Sequence, residues 1–296
     1  YETRPIIEKL GLQSEFLPFN KSSWQVDIEK LKKYENLDKI RLVYLDLCMA
    51  AVPQPVKAIR EVLNKETLLI FDASHVLGLV VGDKFQQPLE EGADVLISST
   101  HKTLPGSHKA IFATNRRILK WQFDNNCNHF ISHHHMAEVA ALGLILEKGK
   151  DYFVEYAAKI IENTKTLSKA LFDNGISVQL SELGFSECHQ IWIDCGNKED
   201  VNKIIECLCQ LNIIVNGALI PSLNGGWGLR IGTQEITNRG ITSEGLNLLG
   251  DILVKVIKEK SITKELVELK AIILEKHMEY PICYDKVNEI IKILSE

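Results

Sequence analysis

Between residues 42 and 114, short apolar runs of strand length alternate with segments of helical spacing, and this restricts the architecture more than any other feature. Leu42-Val43-Tyr44-Leu45, Thr67 to Phe71, Ala93 to Ser98 and Ala110 to Thr114 read as buried strands. Val56 to Leu63 has helical spacing and follows the punctuation of Pro53 and Pro55. Strands separated by helices or short loops imply a mainly parallel sheet buried on both faces. Such sheets bind ligands at the carboxyl ends of their strands. Two ionisable residues fall there: Asp72 closes the second run, and Lys102 follows the third.

The remainder has a different rhythm. Met136 to Glu147 is apolar with helical spacing, and Asp151 to Asn174 is an amphipathic helix stopped by Gly175. Short strands are expected at Ile176 to Val178, His189 to Asp194 and Ile213 to Val215. A helix is expected at Lys198 to Leu211, and a glycine-rich loop leads into Gly228 to Gly232. We therefore expect a partial large α/β domain over 1–148 and a small α+β domain over 149–296, closed by a charged helical tail from Ser261.

Composition removes several functions. The net charge is -5 with the two signs mixed along the chain, so neither a nucleic-acid surface nor a polybasic membrane anchor is expected. The apolar runs are strand-sized, too short to cross a bilayer, and Tyr1 to Lys9 lacks a signal peptide's apolar core. Seven cysteines at scattered spacing, with no CxxC pair, read as reduced residues of a cytoplasmic protein, most of them buried, with no zinc-site spacing. The chain opens at Tyr1 and its first methionine is Met49. The expectation is that something precedes it: a removed segment, a disordered region or a separate chain.

The chemistry concentrates in two motifs. In Ser98-Ser99-Thr100-His101-Lys102-Thr103-Leu104-Pro105-Gly106, a lysine stands at a strand end among hydroxyls and a histidine. It is either a solvated loop lysine or an amine activated for imine formation. In Phe71-Asp72-Ala73-Ser74-His75-Val76-Leu77-Gly78, the aspartate is either a helix cap or the partner of a buried cation. The motifs lie 30 residues apart (102 minus 72), on successive strands.

With DASHVLGL, EEGADVLISSTHKTLPG and GLRIGTQEITNRG in this order, the chain resembles the fold-type-I pyridoxal-phosphate enzymes. Within them it resembles serine hydroxymethyltransferase and its aldolase and transaldolase relatives, over residues 10 to 257. The resemblance implies pyridoxal 5'-phosphate as cofactor, with Lys102 as its Schiff-base lysine and Asp72 pairing with the pyridine nitrogen. It further implies that His75 lies near the cofactor's phenolic oxygen and the substrate. Ser74, Ser99, Thr100 and His101 would line the same pocket, and Ala73 would pass beneath the ring. Arg230 would hold the α-carboxylate of an amino-acid substrate through two parallel hydrogen bonds, while Arg239 would make structural pairs.

The chain departs from the family at several places. Its N-terminal portion has no counterpart here, and Gly106-Ser107-His108-Lys109-Ala110 replaces its usual glycine-rich turn. Cys48 stands near where relatives have a serine by the phenolic oxygen. Ser132 and His133, in the histidine-rich segment 128–136, replace glycines that reach the cofactor phosphate of a neighbouring subunit; a homodimer with shared sites is implied. The expected reaction makes or breaks the Cα–Cβ bond of a β-hydroxy amino acid. Transamination, or a non-catalytic partner subunit, are the alternatives.

Overall fold

The computed structural model describes residues 3–49, 51–221 and 226–279. The chain divides into two compact units: residues 1–162 with 182–190, and residues 163–181 with 191–296.

The first unit opens with α1 (Thr3–Lys9), a two-stranded ribbon of β1 (Phe19–Asn20) and β2 (Gln25–Val26), and α2 (Ile28–Lys32). Its main sheet holds β3 (Leu42–Asp46), β4 (Leu68–Asp72), β5 (Val95–His101) and β6 (Pro105–Ala113) in that order. The crossovers carry α3 (Val56–Val62) and α4 (Leu77–Val81). The first three strands are parallel and β6 returns antiparallel. Side chains alternate across a strand, so Val43, Leu45, Leu69, Phe71 and Leu96 share the fully covered face and form the core with Val56, Ile59, Val76 and Leu79. Each large apolar side chain so buried contributes roughly 1.5–3 kcal/mol. The opposite face carries Tyr44, Ile70, Asp72, Ile97 and Ser99, all half-buried.

β6 begins at Pro105, earlier than the run from Ala110 suggests. A bulge between Ser99 and His101 lets the β5–β6 hairpin close directly behind Lys102. Asp94 explains the motif ahead of β5: it accepts from the Leu69 amide and pairs with Arg60 at 3.2 Å and Arg116 at 2.8 Å. Beyond β6 come α5 (Arg117–Asn126) and α6 (Met136–Leu146), neither of which buries a residue. α7 (Gly149–Asp173) follows.

The second unit holds a three-stranded sheet ordered β7 (Gln190–Asp194), β9 (Trp227–Gly232), β8 (Asn216–Leu219), with α8 (Lys198–Gln210), α9 (Gln234–Asn238), α10 (Ser243–Glu259) and α11 (Lys264–Lys276). The strand expected at 213–215 is displaced to Asn216–Leu219. The Ile213 amide instead closes the end of α8 on the Leu208 carbonyl, and Asn212 adopts a left-handed turn at φ 58°. Residues 176–178 make an isolated bridge, Val178 to Ile193, rather than a strand. The expected helical tail is α11 as far as it is described; residues 280–296 lie outside the described residues.

The cysteines correct another expectation. Among the described ones, none of them in a disulfide, Cys188 is buried, Cys209 is exposed and the other four are half-buried. Cys207 and Cys209 lie on α8 outside its buried stripe of Val201, Ile204 and Leu208.

Candidate active site

The ends of β4 and β5 are stitched together by the residues that the motifs single out. Asp72 pairs in register with Ile97, and the next amide, Ala73 N–H, donates to the Ile97 carbonyl at 2.8 Å. Asp72 Oδ1 accepts from the Ser74 amide at 2.9 Å, turning the chain out of the strand. Ser74 Oγ in turn accepts from the Ser99 amide at 3.0 Å. Ala73 is fully buried, where a larger side chain would meet the core. The Asp72 carboxylate therefore emerges on the half-open face at a fixed point, beside Ser74 and Ser99.

Lys102 follows β5, half-buried, and its position is set from behind. Gly78, in the first turn of α4, donates its amide to Thr103 Oγ1 at 3.1 Å. A Cβ at Gly78 would stand 2.3 Å from the Thr103 carbonyl oxygen. Glycine is required there because α4 rests directly on the backbone next to the lysine. Thr100 is completely buried, and its hydroxyl donates within the hairpin to Ser107 and Lys109 carbonyls at 2.7 and 3.0 Å. The structure thus places Thr100 in the frame of the hairpin, on the covered side of the sheet.

His101 stacks on His108, ring centroids 3.7 Å apart and planes at 12°. Its Nδ1 is buried without a hydrogen-bond partner. Burial, then the neighbouring His108 and Lys102, push its pKa below the usual 6.5.

His75 approaches residues far away in sequence. Gln190 Nε2 lies 3.3 Å from His75 Nδ1 and donates to the Cys48 carbonyl at 2.9 Å. The His189 ring stacks parallel to His75 at 5.7 Å. Cys48 therefore reaches the His75 neighbourhood through its backbone. Neither Gln190 nor His189 was anticipated as a site residue; their strand carried only an alternation in character. Tyr44 was missed too: its hydroxyl donates to Asp72 Oδ2 at 2.5 Å. A polar residue inside an otherwise apolar strand was the available signal.

Ser132 and His133 lie apart from this cluster, in the exposed segment that leads into α6. His133 Nδ1 accepts from the His135 amide at 2.8 Å, and Lys109 Nζ donates to the His134 carbonyl. Among the described residues, no group of three or more His, Cys, Asp or Glu side chains could hold a metal ion. No helix among them is long and apolar enough to cross a membrane.

In the second unit Arg230 is half-buried in β9, opposite Asn216. The strand is pressed closely into its sheet: a Cβ at Gly228 would lie 2.1 Å from the Ile193 carbonyl oxygen. Beyond it a buried polar network anchors the turn. Thr233 and Thr164 hydroxyls meet at 2.7 Å, and Thr237 Oγ1 donates to the Thr233 carbonyl at 2.7 Å while accepting from Asn163 Nδ2 at 2.9 Å. Arg239 pairs with Glu235 at 2.8 Å.

A carboxylate and a lysine at the ends of adjacent parallel strands, followed by an antiparallel return strand, define a fold-type-I pyridoxal-phosphate transferase fold. The architecture matches a crystal structure of L-threonine transaldolase from Pseudomonas fluorescens, in its internal aldimine state, with TM-score 0.86 and 27% identity over 93% of this chain and 65% of that one. The serine hydroxymethyltransferase family model matches residues 7–253, and the chain belongs to that family. Serine hydroxymethyltransferase of Methanobrevibacter smithii is 34% identical over 262 residues, and that of Staphylothermus marinus 32% over 300. These matches cover 86% and 96% of this chain but 62% and 67% of the relatives' lengths. The donor set fits the family's cofactor, pyridoxal 5'-phosphate: an amine for its aldehyde, an acceptor-only carboxylate for its ring nitrogen, and a buried, unpartnered His101 Nδ1 nearby.

Proposed function

We propose that the chain carries the lysine, aspartate and histidine of a pyridoxal-phosphate enzyme that makes or breaks a Cα–Cβ bond of a β-hydroxy amino acid, with glycine as one partner. The observation that carries this reading is the stitched pair of strand ends, which fixes Asp72 and the base of Lys102 in a family whose members use that cofactor. When bound, pyridoxal phosphate supplies an electron sink for the pair released at Cα.

The chain's own residues do the rest. Lys102 would hold the cofactor covalently through Nζ and, once displaced by the substrate amine, carry protons at that atom. Asp72 would accept the hydrogen bond of the ring nitrogen and keep a proton there. His75, braced by Gln190, would face the cofactor and substrate oxygens. Ser74, Ser99 and His101 would line the pocket, and Cys48 its edge. Arg230 would hold the substrate carboxylate by a bidentate pair.

The reading includes a homodimer of a cytoplasmic protein, with Ser132 and His133 of one copy serving the other's cofactor. The support is the apolar surface beside that segment. Phe130 is 88% exposed, Met136 68%, Leu144 67% and Trp121 62%.

Borohydride reduction of the chain incubated with pyridoxal phosphate, followed by peptide mapping, tests the cofactor assignment. The added mass should fall on the peptide containing Lys102 and vanish in Lys102→Ala. Labelling unchanged in Lys102→Ala sinks the assignment. Aldehyde release from a β-hydroxy amino acid tests the reaction; conversion of the cofactor to its amine form instead would assign a transaminase.

A further inference from the structure

Tyr44 is the one polar side chain between Leu42 and Leu45 in β3, and the motifs give it no role. It stands opposite Ile70 in the β3–β4 register, on the half-open face and two residues short of Asp72 along the neighbouring strand. Its ring spans that diagonal, and the hydroxyl donates to Asp72 Oδ2 at 2.5 Å. The Ser74 amide donates to the other oxygen, Oδ1, at 2.9 Å. Each carboxylate oxygen thus takes one donor from the chain and keeps acceptor capacity for a ligand.

The direction of the Tyr44 bond is fixed. Burial, and the bond to Asp72 itself, push the phenol pKa up, so the group donates throughout the physiological range. Charged groups flank the pair. Asp46 lies in register opposite Asp72 on the same face, with its Oδ1 taking the Cys48 amide. On the β5 side the strand ends in His101, and Lys102 follows it.

We propose that Tyr44 is a positioning residue for Asp72. By donating to Oδ2 it fixes the rotation of the carboxylate, so that a bound ring nitrogen meets the group in one orientation. The second half of this statement rests on the proposed pairing of Asp72 with the cofactor; the first half is a property of the chain alone.

The test separates the two. The full chain is labelled with carboxyl-13C aspartate, and the Asp72 resonance, assigned by its loss in Asp72→Asn, is recorded at neutral pH without cofactor. Tyr44→Phe removes the Oδ2 donor and should shift that resonance. Fluorotyrosine at position 44 keeps the shape of the side chain and donates more strongly, so it should shift the resonance the opposite way. An unchanged resonance in either protein overturns the inference. The ring-nitrogen 15N resonance of bound labelled pyridoxal phosphate should then move in Tyr44→Phe and in Asp72→Asn. A ring-nitrogen resonance that ignores Asp72→Asn overturns the pairing of Asp72 with the ring, and with it the second half of the inference, while the carboxyl resonance still judges the first.

Discussion

The end of β4 and the α5–α6 region belong to the same unit and are built in opposite ways. Around Asp72 the chain satisfies itself. Phe71, Ala73, Val76 and Leu79 are wholly buried, and the polar atoms of Asp72, Ser74, Thr100 and Thr103 bond within the unit. α6, by contrast, reads Met-Ala-Glu-Val-Ala-Ala-Leu-Gly-Leu-Ile-Leu, apolar but for Glu138 in its first turn, yet buries nothing. Leu142 and Ile145 lean on the core while Leu144 and Met136 face outward. A helix apolar all round is ordinarily an interior helix, and a contiguous apolar surface marks a contact face. The difference teaches that the frame around Asp72 closes on itself, whereas the α5–α6 region leaves large apolar side chains facing outward.

The sharpest way to break this comparison is to charge the exposed face. Trp121→Glu with Leu144→Glu should abolish self-association in sedimentation velocity and leave Asp72 and Lys102 in place, as judged by cofactor labelling. A double variant that still self-associates would remove the contact-face reading. Next in size is Gly78→Ala. The added methyl meets backbone rather than a movable side chain, so unfolding by urea should lose about 3 kcal/mol. Thr103→Val removes the hydroxyl that takes the Gly78 amide, and about 1–2 kcal/mol should go with it. The smallest effect is His101. Its folded pKa is depressed by burial, His108 and Lys102, so the unfolded chain takes up a proton first as the pH falls. Stability should be full above pH 6.5, the usual value, and decline below it until the folded pKa is passed; His101→Gln should flatten that slope.

The sequence was most legible where local chemistry and fold agree. Apolar runs ending in Asp72 and preceding Lys102 gave the strands, their order of use and the carboxyl-end location, because alternation and strand length are local properties. Gly228 and Gly78 were readable as motif letters, but their cause, a backbone carbonyl at about contact distance, exists only after packing. Gln190 and His189 were invisible for a related reason, and the polar character of Tyr44 in an apolar strand marked the residue without its partner. Their partners lie 28 residues away for Tyr44 and 115 for Gln190, and no local pattern encodes such pairings. The strand expected at 213–215 failed because three β-branched residues outweighed the turn signal of Asn212, whose left-handed backbone finishes α8 first. Thr100 looked like a pocket hydroxyl because it neighbours His101, yet the pleat sends it inward.

The contact between Gly78 and Thr103 makes α4 and the turn after Lys102 a single part. No methyl group fits between them, so neither can shift by an atom's radius without moving the other. Sequence change is therefore closed at this contact. It stays open where side chains meet solvent, as at Trp121 and Met136, where a substitution displaces nothing behind it.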